Sequence, residues 1–185
     1  HDTTVGDTVF RRILEQAHEL ELIPGNPASR VETPKVEDRE PVLLSDEQLE
    51  KLLRECGGDD MLRMYVLLLS EAGLRSGSEA PWLRWEDTDL EDGFLHVVSG
   101  RDGRDTKSGK GRWVPMTSRL RQELREHAAK YRLQTYDGKR SPWVLHHLRK
   151  NRWAEPGDRR KNFRTAITTA VDSVGLPDEF RLHDL

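Results

Sequence analysis

Apolar residues recur at helical spacing from Thr8 to Leu22, where Val9, Phe10, Ile13, Leu14, Ala17, Leu20 and Leu22 form a stripe. Pro24-Gly25-Asn26-Pro27 stops that helix. Ser29 to Pro41 is polar, holds two prolines, Pro34 and Pro41, and reads as an extended linker. A second folding unit opens at Ser45-Asp-Glu-Gln48, the pattern of a reciprocal helix cap, followed by Leu49, Leu52 and Leu53. Asp59 to Ala72 is apolar nearly all round, which predicts a buried central helix closed by Gly73.

A short helical segment is expected around Glu79 to Arg84, and then the period changes. Phe94, His96 and Val98 alternate with Leu95 and Val97 as in a strand. Arg112 to Met116 predicts a second strand, with Pro115 marking an edge or a strand end. Thr117 to Tyr131 is amphipathic, with Leu120, Leu124, Ala128 and Tyr131 on one face. Trp143-Val-Leu145 is a short apolar run. Phe163 to Val174 predicts another helix, ended by Gly175-Leu-Pro177, and Phe180 to Leu185 opens a further element. The expected fold is mainly α with a small antiparallel β-sheet. The N-terminal helix and linker should pack less firmly than the rest.

Charge alters this picture only locally. The 185 residues carry a net charge of −3, and the isoelectric point is about 6.2, so the total does not mark a basic DNA-binding domain. Yet Arg101 to Arg112 and Arg149 to Arg164 are basic, against acidic stretches at Glu15 to Glu21 and Asp46 to Glu50. Binding phosphate needs local positive potential, and solvated surface is the competing reading of such runs. The lone Cys56 has no partner for an internal disulfide, which points to a reducing, intracellular setting. No apolar run is long enough to span a bilayer, and the N-terminus lacks the pattern of a secretory signal.

Three stretches carry candidate chemistry. Ala72-Gly-Leu-Arg75, with Glu79 and Leu83-Arg-Trp-Glu-Asp87 downstream, puts an arginine at the end of the buried helix. A carboxylate can hold that guanidinium, and its planar fork matches two phosphate oxygens. Thr106-Lys-Ser-Gly-Lys110 lies between two strands and would present a lysine at a hairpin tip. Leu182-His-Asp-Leu185 begins an apparent helix. His146-His147 invites a metal reading, but no cysteine or acid stands at ligand spacing, so structural histidines are favoured. Trp82, Trp85, Trp113, Trp143 and Trp153 read as core or rim residues.

In this order and context the three stretches resemble the catalytic domain of tyrosine recombinases, the phage integrase family. The helix before Ile23-Pro-Gly-Asn-Pro-Ala28 resembles the last helix and linker of their core-binding, DNA-clamping domain. The resemblance implies three segments: residues 1–28 as that helix, 29–41 as linker and 42–185 as an incomplete catalytic domain. It implies site-specific cutting and rejoining of DNA through a covalent 3′-phosphotyrosine, without metal, nucleotide or other cofactor. Arg75 matches the arginine that holds the scissile phosphate, and Lys107 the lysine that acts as general acid. His183 matches the histidine that binds phosphate and moves protons, and Glu79 the carboxylate that positions the arginine. Lys110, Arg112, Arg104 and Arg101 are expected to contact DNA. The implied partners are double-stranded DNA and further copies of the protein, a tetramer on DNA, with no membrane. The implied location is the bacterial or phage-infected cytoplasm, at the nucleoid.

Two departures from the family pattern stand out. The step from Arg75 to Glu79 is one residue longer than the commonest spacing. The second arginine and the nucleophilic tyrosine, expected after His183, are not among these residues, since Tyr65, Tyr131 and Tyr136 all precede it. These residues alone are therefore expected to be inactive. Two other readings stay open: a DNA-binding module or regulator that keeps the fold without the chemistry, and a helical interaction protein with no DNA role.

Overall fold

The computed structural model describes residues 3–31, 40–102, 109–177 and 179–185, with side chains from Val9 onward. The chain divides into two compact units, His1–Glu40 and Pro41–Leu185. The first holds helix α1 (Thr3–Glu19) and a 3₁₀ turn at Pro27–Arg30. Asn26 ties the two together: its side chain accepts from the Ala28 amide at 2.9 Å and donates to the Arg11 carbonyl at 3.2 Å. Ala28 is the one buried residue among the described side chains of this unit. Val9, Phe10 and Ile13 stay more than half exposed. Helix α1 ends several residues before Pro24, where Glu21 adopts a left-handed φ of 56°.

The second unit is built on α2 (Asp46–Glu55), α3 (Asp60–Ala72), α4 (Ser118–Tyr131) and α5 (Arg164–Val174). Each start has a cause in the sequence except that of α5. Ser45 and Gln48 form the reciprocal cap of α2. Asp59 accepts from the Met61 and Leu62 amides at the head of α3, and Thr117 caps α4. Phe163 precedes α5 without a side-chain cap. Helix α3 is the centre of the core, with Met61, Leu62 and every residue from Met64 to Leu69 buried. Helix α4 packs on α3, and α2 packs on α5. Tyr65 of α3 stacks on Phe163 with ring centroids 4.2 Å apart.

The sheet is antiparallel, in the order β1 (Thr88–Asp89), β2 (Phe94–Val97), β3 (Arg112–Pro115). His96 pairs with Trp113 across β2 and β3, and their rings stack at 4.4 Å. Strand β3 is an edge, which suits Pro115. A separate hairpin of β4 (Thr135–Tyr136) and β5 (Lys139–Arg140) turns through Asp137 and Gly138, both at positive φ. The segment expected to be helical after Glu79 is instead two single 3₁₀ turns, Ala80–Trp82 and Trp85–Asp87. Pro81 at the head of the first removes an amide donor and limits what can form there. Trp143-Val-Leu145 is not a strand. It forms one bridge, Arg84 to Trp143, and buries Val144 and Leu145 completely.

Candidate functional site

Gly73 ends α3 in the left-handed conformation (φ 59°), where a residue without Cβ avoids a steric penalty. The Leu74 amide reaches back to the Leu68 carbonyl at 3.2 Å, and Leu74 is itself buried. Arg75 is thus hung directly from the best-packed helix. Tyr65 secures the loop beyond it by donating its hydroxyl to the Ser76 carbonyl at 3.1 Å.

Glu79 is the hub. Its side chain is only 1% exposed. Oε1 accepts from the Arg75 guanidinium at 2.5 Å and from Arg112 at 2.7 Å. Oε2 accepts from the Arg75 amide at 3.0 Å and from the second Arg112 nitrogen at 2.8 Å. Four donors therefore saturate both oxygens. The longer step from Arg75 to Glu79 is absorbed by an irregular turn, in which the amides of Glu79 and Ala80 both donate to the Arg75 carbonyl. Burial pushes the Glu79 carboxyl up. The Arg112 hydrogen bonds, the Arg75 amide and the two positive charges outweigh it and hold it below the usual carboxylate range. Two guanidiniums on one carboxylate leave one net positive charge. Their side chains are 41% and 40% exposed, so that charge faces solvent.

A second buried carboxylate lies nearby in sequence. Asp87 accepts both terminal nitrogens of Arg101, at 2.7 and 2.8 Å, and the Arg84 amide at 3.2 Å. Hydrogen bonding to Asp87 raises the Arg101 pKa. Arg84 reaches Asp102 at 2.7 Å and lies over the Trp143 ring at 4.8 Å.

The structure thus brings Arg75, Glu79 and Arg112 into one cluster and places Arg101 on Asp87. Arg101 and Arg112, expected on DNA, both have their forks on buried carboxylates. Lys107 and Arg104 lie outside the described residues. Lys110 is exposed just before β3. His183 is exposed on the 3₁₀ turn Leu182–Asp184, flanked by Leu182 and Leu185, which pack on the core. His146 is fully buried, and both ring nitrogens are engaged, by the Trp143 carbonyl and the Tyr136 hydroxyl, each at 3.0 Å. Among the described residues no group of three His, Cys, Asp or Glu side chains could hold a metal ion. None of their helices is long and apolar enough to cross a membrane.

The sequence reading misses the link from Arg112 to Glu79, although a signal for it exists. Alternation along β3 puts Arg112 on the same half-buried face as Val114, opposite exposed Trp113 and Pro115. An arginine on an inward face requires a carboxylate.

The described residues thus combine a helical core and a three-stranded antiparallel sheet with an arginine–carboxylate cluster at the end of the central helix. Residues 43–185 match the sequence model of the phage integrase family. The chain belongs to that family. It is 35% identical over 101 residues to the tyrosine recombinase XerA of Pyrococcus furiosus, covering 54% of this chain and 33% of that protein. To the tyrosine recombinase XerD of Shewanella oneidensis it is 32% identical over 111 residues, covering 58% of this chain and 34% of that protein. The matched stretch is about a third of each relative's length. In fold the chain is similar to lambda integrase, solved as a tetramer bound to a Holliday junction. The TM-score is 0.67 at 17% identity, over 98% of this chain and 50% of that one.

Proposed function

We propose that this chain supplies the phosphate-binding part of a site-specific DNA recombinase. In the reaction a tyrosine attacks a DNA phosphate, the 5′-hydroxyl leaves, and a 3′-phosphotyrosine forms and is later resolved by a new strand's hydroxyl. The observation that carries this reading is the cluster at the end of α3: an arginine fixed by a saturated, buried carboxylate, with net positive charge at the surface. Such a guanidinium is pre-oriented for a phosphate whose negative charge grows in the transition state. Lys107 then donates the proton to the leaving hydroxyl, and His183 binds phosphate and shuttles a proton. The partners are double-stranded DNA and further copies of the protein. A tetramer on DNA is carried over from the lambda integrase likeness, and a nucleoid location follows from the substrate. Residues 1–28 belong to the DNA-clamping domain, 29–41 to the linker and 42–185 to the catalytic domain. The exposed apolar face of α1 supports this, because such a face ordinarily packs on a partner.

The test is a suicide DNA substrate bearing the crossover site, followed on a denaturing gel with the full-length protein. A covalent protein–DNA band is expected. Replacing Arg75 with Ala should weaken it by about 100- to 1,000-fold, the usual effect of losing one preorganised transition-state donor. An undiminished band from Arg75→Ala would sink the assignment. Replacing Lys107 with Ala should slow cleavage more than it weakens binding. Equal losses in both would remove its role as general acid.

A further inference from the structure

We propose that Arg112 is a positioning residue for the strand-cleavage reaction and acts through Glu79 on Arg75. The proposal rests on the reading of Arg75 as the phosphate-binding arginine, and it assigns Arg112 a role other than DNA contact. Three observations carry it. Both terminal nitrogens of Arg112 are committed to Glu79, at 2.7 and 2.8 Å, in the parallel two-bond arrangement that a lysine cannot reproduce. Glu79 in turn holds Arg75 by side chain and by main chain, so the carboxylate's position sets both the aim of the guanidinium and the course of its loop. Finally, Glu79 is buried while both arginines are partly exposed, so the carboxylate cannot turn to water when one donor is lost.

The consequence is mechanical. With one oxygen-pair partner missing, Glu79 can rotate to place both oxygens on Arg75. The Arg75 fork is then drawn onto the carboxylate and away from the phosphate. Arg112 occupies the opposite side of Glu79 and prevents this. Arg112 also begins β3, which follows the segment carrying Lys107. The same ion pair therefore ties the strand leading from the lysine to the loop bearing the arginine.

The experiment compares Arg75→Ala, Arg112→Gln and Arg112→Lys in the full-length protein. It measures the single-turnover cleavage rate, DNA affinity across a salt series, and thermal melting. Arg112→Lys keeps the positive charge and serves if Arg112→Gln fails to fold. The expected result is a fall in cleavage rate of about 100-fold for Arg112→Lys, the scale of a small misplacement of a catalytic group. Affinity and its salt dependence should stay unchanged. A second readout uses a methylphosphonate at the scissile position, which lacks the charge that Arg75 neutralises. The Arg112→Lys defect should shrink on that substrate, which a general loss of structure would not produce. Lower affinity with a salt slope reduced by about 0.9, the signature of one lost phosphate contact, would overturn the proposal in favour of direct DNA contact. So would wild-type cleavage by Arg112→Lys, or an equal defect on the charged and uncharged substrates. If Arg75→Ala also cleaves normally, the phosphate-binding reading itself fails. If only the Arg112 variants do, the positioning role fails alone.

Discussion

A carboxylate as buried as Glu79 would cost several kcal/mol to keep charged without partners, and the two arginines remove that cost. Glu79→Gln keeps the shape but turns one oxygen acceptor into a donor that faces a guanidinium. About 1–3 kcal/mol of stability should be lost in a urea titration, the usual cost of an unsatisfied buried polar group. His127 offers a sharper test. It is buried between Trp85 and Tyr131, with Nε2 bonded to the Val144 carbonyl at 3.1 Å. Burial lowers its pKa from 6.5 to about 4. The unfolded chain therefore takes up the proton first, and stability should fall as pH drops from about 6.5 to about 4, by up to about 3 kcal/mol. Burial lowers the pKa of His146 as well, so it adds to the same slope. His127→Gln should flatten this slope in unfolding titrations at successive pH values. An unchanged slope would mean that His127 is protonated in the folded state. At this scale Arg75 and Glu79 are legible from their motif. Their pairing with Arg112 is only half legible: strand alternation turns Arg112 inward, but the carboxylate it meets lies in another element that the sequence does not name.

Helix ends follow local rules, and local rules are what a sequence displays. The reciprocal cap at Ser45 and Gln48 is legible residue by residue, and Ser45→Ala should lower stability by about 1 kcal/mol in thermal melts. Gly73→Ala forces a Cβ into a left-handed position and should cost about 1–2 kcal/mol, although open space surrounds it. The strands are less legible. Strand β1 is two residues long and has no alternation to detect, and it exists only because Leu95 and Phe94 offer it a ladder. The β4–β5 hairpin does carry a signal, the Asp137-Gly138 pair, since both turn residues need positive φ. Its flanks are too polar and too short to mark strands. The turns after Glu79 are set by what they pack on: Trp85 is fixed by a hydrogen bond to the Pro142 carbonyl, far along the chain.

For the chain as a whole, DNA affinity should be weak and should fall with salt, because a few local basic clusters neutralise few phosphates while the total charge is negative. Fluorescence anisotropy at successive salt concentrations measures this. The 185-residue polypeptide alone should form no covalent DNA adduct. Tyr65 donates to Ser76, Tyr131 to Asp60, and Tyr136 is bonded to His146. Burial raises the pKa of all three phenols, which makes each a poorer nucleophile. An adduct mapped to any of them would overturn the assignment of the site.

The burial of α3 from Met64 to Leu69 has a further consequence for how the protein fails. The backbone amides of that buried stretch have little route to solvent short of opening the core, so in deuterium exchange they should be among the last to label. Arg75 is anchored three residues beyond that helix. The arginine cluster therefore has little freedom to loosen while the core stays closed. Loss of strand cleavage by the full-length protein on heating should overlay its melting curve, with no interval of temperature in which the protein is folded but the site is slack.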